Sequence, residues 1–181
     1  MLYHHKNTSA PETDYLKLDT TAATADQAEI WHDTEPTSAV FTAGDHSSSN
    51  RSGDNFVSYH WNEVQGFSKF GSYTGNGNAN GPFVYTGFRP AMVIIKNSSA
   101  TGNWEIFDTK RSTYNLMHAT LYADTTGAEY TGTGNQIDVL SNGFKVRNED
   151  TNTNDNGETT VFMAFAEAPF VNSNGVPATA R

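Results

Sequence analysis

With 181 residues the chain can bury the core of one large or two small domains, and an aromatic share of 12% excludes a disordered tail. A net charge of −9, with Lys96, Lys110, Arg111, Lys145 and Arg147 scattered along the chain, excludes the clustered basic surface that nucleic acid requires. The lack of cysteine excludes disulfides, zinc–thiolate sites and thiol catalysis. No N-terminal stretch has the order of a signal peptide, and no apolar run approaches the ~20 residues that span a bilayer, so neither Sec secretion nor membrane insertion of this chain is expected.

Short runs of Val, Ile, Phe, Tyr and Thr between Gly and Asn clusters predict strands. In chain order these are Leu16–Asp19, Val40–Thr42, Asn55–Glu63, Gly66–Tyr73, Pro82–Thr86, Ala91–Lys96, Trp104–Asp108, Ile137–Leu140, Gly143–Arg147 and Thr159–Glu167. The Ala-rich stretch Thr21–Ile30 has the composition of a helical turn or two. Asp45–Gly53, Asn152–Gly157 and the polar run Gly71–Gly81 read as loops, with Asn and Gly available for positive φ. Phe162, Ala164 and Ala166 alternate with Val161, Met163 and Phe165, so the last strand is apolar on both faces and belongs in the middle of a sheet. The expected class is all-β, an antiparallel β-sandwich of lectin or jelly-roll type.

The chain also repeats itself. Leu16-Lys17-Leu18-Asp19-Thr20-Thr21 returns as Leu121-Tyr122-Ala123-Asp124-Thr125-Thr126, Gly53 answers Gly157, and Val57–Glu63 answers Val161–Glu167. A spacing of about 104 residues fits duplication of one small unit. Leu2–Lys6 aligns with Ile106–Lys110, so the first unit starts part-way through its pattern. The expected division is 1–65 for the C-terminal part of a first unit, 66–171 for a complete second unit and 172–181 for a tail. The expectation is either that residues 1–65 finish their core on the second unit or on another subunit, or that the natural chain is longer at its N-terminus.

Few residues suggest chemistry. Glu63 and Glu167 are equivalent carboxylates at strand ends, and paired acids serve glycosidases, but these two stand in separate units and read as structural. Asn152, Asn154 and Asn156 alternate as in a calcium loop, although Met163 stands where a bidentate Glu is needed; calcium is the one cofactor considered. The six histidines, His4, His5, His32, His46, His60 and His118, show no metal-ligand spacing. Tyr73, Asn76, Asn78, Tyr85 and Trp61 are the candidate ligand-binding residues, since aromatics with polar tips stack on sugars or fill interfaces. Trp104 alternates with Phe107 and reads as core.

The runs Glu63–Gly77, Gly81–Pro90, Trp104–Arg111, Ser141–Lys145 and Phe162–Phe170 resemble a family of repeated β-sandwich domains in virion and tail-fibre proteins of marine and aquatic bacteriophages, cyanophages among them. The resemblance implies a non-enzymatic virion structural protein, a tail-fibre, tail-tip or capsid-decorating part, made in the host cytoplasm and carried on the particle. Its implied partners are other virion proteins and copies of itself. A lectin-like module for host surface glycan is the alternative, and a polysaccharide-degrading enzyme a third.

Overall fold

The alternating apolar runs form strands wherever a second run lies close enough to complete the backbone ladder. The structure, a computed structural model, describes residues 1–168. Ten strands and three one-turn helices follow in the order β1 (Asp14–Tyr15), β2 (Ala25–Asp26), α1 (Ala28–Trp31), α2 (Ser47–Asn50), β3 (Ser68–Thr74), β4 (Phe83–Tyr85), β5 (Pro90–Asn97), β6 (Glu105–Asp108), β7 (Leu121–Tyr122), β8 (Ile137–Leu140), β9 (Gly143–Val146), α3 (Thr151–Asn154) and β10 (Thr159–Ala166). All pairings are antiparallel: a five-stranded sheet β3-β10-β5-β6-β7, a three-stranded sheet β4-β9-β8, and the small pair β1-β2.

The two larger sheets make the expected all-β sandwich. Val84, Phe144 and Val146 from the smaller sheet meet Val93, Ile95, Phe107, Phe162 and Ala164 from the larger one in a single core. Fully burying a side chain of this size contributes roughly 1.5–3 kcal/mol. β10 is central, as its apolar faces require, with Phe162 opposite Gly71 on one side and Ile95 on the other. Gly71 is small by necessity, since a Cβ there would stand 2.7 Å from the Phe162 ring.

The opposite face of β10 is covered by the N-terminal segment. Leu16 packs with Trp104 and Val161, joined by Leu2, Ile94 and Met163. Trp104 Nε1 donates to Lys17 O at 2.8 Å, Thr24 N donates to Ser98 O at 2.9 Å, and Gly102 N to Thr21 O at 2.9 Å. The beginning of the chain therefore finishes its core on the sandwich.

Four expected elements differ. Val40–Thr42 and Asn55–Glu63 form no strands: neither run joins a ladder, every residue from 51 to 65 is exposed, and the second run meets the β3 edge only at its end, through Asn62 O and the Glu63 carboxylate. Leu16–Asp19 shrinks to one bridge, Leu16 with Leu2. The expected helix over Thr21–Ile30 contracts to Ala28–Trp31, because Ala25 and Asp26 pair with Tyr15 and Asp14 instead. The end of the second unit at 171 and the 172–181 tail lie outside the described residues.

Candidate functional site

The polar loops after β3 and before β10 are built against each other. Asp150 caps α3 by accepting from Asn152 N at 2.8 Å, and Asn148 Oδ1 accepts from Asp150 N and from Thr153 Oγ1. These Asx-type bonds make a turn of a segment too short to hold a helix alone. The turn places Asn154, wholly buried, beneath the Gly71–Gly81 loop. Its Nδ2 donates to Asn148 O, Asn78 O and Asn76 Oδ1, and its Oδ1 accepts from Asn76 N. Asn76 in turn accepts from Asn78 N and donates to Asn80 O, and Asn78 Oδ1 accepts from Asn80 N. What reads in sequence as a free polar loop is thus tethered at three asparagines.

That network engages two of the three asparagines of the calcium reading. The Asn154 oxygen is occupied by the Asn76 amide and the Asn152 oxygen by Asn103 N at 3.1 Å, while Asn156 is exposed and turned against Gly77. Among the described residues no group of three His, Cys, Asp or Glu side chains is placed to hold a metal.

Tyr73 is anchored from the core side. Parity along β3 carries it inward with Gly71, so its ring packs on the core edge-on to Phe144, centroids 6.1 Å apart, and its hydroxyl donates to Thr153 O at 2.6 Å. Burial, reinforced by the charge of Glu105, pushes its phenol well above the usual range. The half-buried ring is thus fixed from within, and it also borders the open groove between β3 and β4. Asn76 and Asn78 lie on the surface with their oxygens already spent within the loop.

The exposed aromatics are elsewhere. Tyr85, at the end of edge strand β4, is 65% exposed, and Trp61 60%. An open groove of about 320 Å³ runs between edge strands β3 and β4, lined by Lys6, Phe70, Ser72, Phe83 and Tyr85. At one end Glu63 holds Lys69 Nζ at 2.8 Å and accepts from Phe70 N at 3.1 Å. Burial raises the Glu63 carboxyl, but Lys69 and the Phe70 amide outweigh it and hold the group below its ordinary value. Glu167 pairs with Arg89 at 2.7 Å. Both strand-end acids are therefore bound into ion pairs, in keeping with their structural reading.

Three ionisable groups are buried without the sequence reading marking them as such: Glu105, His4 and Lys96, whose Nζ donates to Asn97 O at 2.6 Å. Glu105 is fully buried; Oε1 accepts from Asn135 Nδ2 at 2.9 Å, and Oε2 has no hydrogen-bond partner. Burial, with the charges of Asp150 and Asp124 beside it, pushes its carboxyl well above the usual range. The signal was there, since Glu105 shares the strand face of Phe107. His4 lies buried with Nε2 3.2 Å from Phe162 O, and burial lowers it to about 4; only its contact with a distant strand reveals it.

Neither the curated proteins nor the solved structures gave a match to this chain. No helix among the described residues is long and apolar enough to cross a membrane. A family model does match, over residues 1–169, and on that extent the chain belongs to the family described as a domain of unknown function, DUF7483.

Proposed function

We propose that this protein is a non-enzymatic structural part that assembles with copies of itself, on the virion surface of a bacteriophage as the resemblance of its sequence implies. One observation carries the reading: Phe56, Val57, Tyr59 and Trp61 follow one another in an extended segment with 47%, 79%, 76% and 60% of their surface exposed. Isolated exposed apolar residues are ordinary, but a contiguous run of them marks a surface that another protein covers. Light scattering over a concentration series tests it. Self-association to a defined mass is the expected result, and a monomer at every concentration rejects the reading.

A lectin-like role is the second reading, favoured by the exposed rings of Tyr85 and Trp61. Saturable binding on a glycan array, lost in Tyr85→Ala, would favour it.

A further inference from the structure

We infer that residues 55–63 are a sheet strand without its sheet, and that in the assembled protein this strand adds to the open Ser72–Thr74 end of the β3 edge of a second copy; the inference rests on the self-assembly reading above. Its basis is a correspondence of three-dimensional detail between the two halves of the chain. The α2 turn, Ser47–Asn50, is capped by the His46 ring accepting from Ser48 N, and α3, Thr151–Asn154, by the Asp150 carboxylate accepting from Asn152 N. Asn50 N donates to His46 O as Asn154 N does to Asp150 O. Arg51 and Asp155 close the two turns in the same extended conformation, and Gly53 and Gly157 follow with φ of 86° and 83°. Asp54 N donates to Arg51 O at 3.2 Å, and Glu158 N to Asp155 O at 3.2 Å.

The pairings before these turns correspond too. Leu2 bridges Leu16 as Ile106 pairs with Leu121, and Tyr15 pairs with Ala25 as Thr120 bridges Tyr130. Past Gly53 and Gly157 the likeness stops. Residues 159–166 enter the sheet between β3 and β5, whereas 55–63 run through solvent without a ladder. Yet the side-chain pattern is kept: Val57, Tyr59 and Trp61 stand where Val161, Met163 and Phe165 stand, and the Tyr59 and Trp61 rings already lie stacked on one side of the extended chain. A strand that is apolar along one face and lacks hydrogen-bond partners is a template for pairing.

The acceptor is the outer edge of β3. Ser68 N and Phe70 N point away from β10, to Val64 O and to the Glu63 carboxylate; by alternation the Ser72 and Thr74 amides face the same way. Beside that edge lies the groove bordered by Phe83 and Tyr85, which are 47% and 65% exposed on the edge of the other sheet. An added strand extends the ladder at Ser72 and lays one row of side chains into the groove, as in other strand-addition complexes. Each copy carries both donor and acceptor, so a reciprocal exchange closes a two-fold dimer.

The test is the double variant Ser58→Pro/Tyr59→Pro, because adjacent prolines remove a ladder donor whichever edge pairs, together with amide exchange on the native chain. Both positions are exposed, so the variant keeps the fold, with an unchanged far-ultraviolet spectrum as control. The expected result is at least tenfold weaker self-association by light scattering, with slowed exchange in 55–63 and in 68–74 of the native chain only at concentrations where it assembles. If the variant assembles as well as the native chain, self-assembly stands and the strand inference falls. If the native chain is a monomer throughout, both fall. Slow exchange of 55–63 in a monomer means the segment closes on its own β3, and overturns addition to a second copy.

Discussion

Asn154 and Asn76 hold each other reciprocally: the Asn154 oxygen accepts from the Asn76 amide at 2.8 Å, and its side-chain nitrogen donates to the Asn76 oxygen at 3.1 Å. Because the same nitrogen also serves Asn148 O and Asn78 O, this buried side chain sets the position of a loop nearly eighty residues away in sequence. Removing a buried group that satisfies several partners leaves them unpaired, so Asn154→Ala should cost about 2–4 kcal/mol. Asn154→Asp should cost at least as much, since it deletes the donors and buries a charge. Urea denaturation measures both, and a loss below about 0.5 kcal/mol would contradict the network described.

The same bonds predict indifference to calcium. With the Asn152 and Asn154 oxygens given to backbone amides, adding calcium or a chelator should leave the melting temperature unchanged, because only binding to the native state raises it. A rise that saturates with calcium would show that the loop opens to a cation after all.

His4 predicts a loss of stability in mild acid. Its folded value, about 4, lies below the ordinary 6.5, lowered by burial and by His5, while Phe162 O and Glu63 act the other way. Above pH 6.5 the ring is neutral in both states and adds no pH dependence. As pH falls from 6.5 to 4 only the unfolded chain takes the proton, so stability drops by up to about 3 kcal/mol. His4→Phe should remove that part of the decline, read as the difference between the two urea-denaturation profiles across this window.

Glu105 works in the opposite sense. Its folded value is raised, so its favourable contribution is complete below the unfolded value near 4.5 and is lost as pH rises through the folded one. Glu105→Gln keeps an oxygen for Asn135 and removes the charge from a site where one carboxylate oxygen is unpartnered. The variant should melt several degrees higher than the native chain at pH 7.5, with the gain disappearing towards pH 4. A variant less stable at both pH values would mean the carboxylate is needed.

The sandwich was legible because the runs that form β3 to β6 and β8 to β10 are short apolar stretches between Gly and Asn turns, and Ile137–Leu140 falls where alternation puts it, whereas the two residues of β7 have no pattern to read. Asn55–Glu63 shows the limit of that reading. Its pattern is a strand's, but a strand is a relation between two segments, and the pattern does not say whether the partner lies in the same chain. Tyr73 reads as loop from the composition that follows it, whereas strand parity turns its ring inward beside Gly71. The turns at Ser47–Asn50 and Thr151–Asn154 were hidden for a different reason. Four residues have no periodicity to read, and they are made by the side chain that precedes each of them.

The three tryptophans divide the molecule optically. Trp104 is 1% exposed and donates to Lys17 O, Trp31 donates to Asp14 O at 3.0 Å, and Trp61 stands in solvent. Trp104 should emit in the blue and shift to the red when the N-terminal segment lifts from the sheet, while Trp61 should be the fluorophore that acrylamide reaches first. Intrinsic emission and quenching can therefore follow two separate events in one unlabelled chain, the seating of residues 1–31 and the covering of residues 55–63.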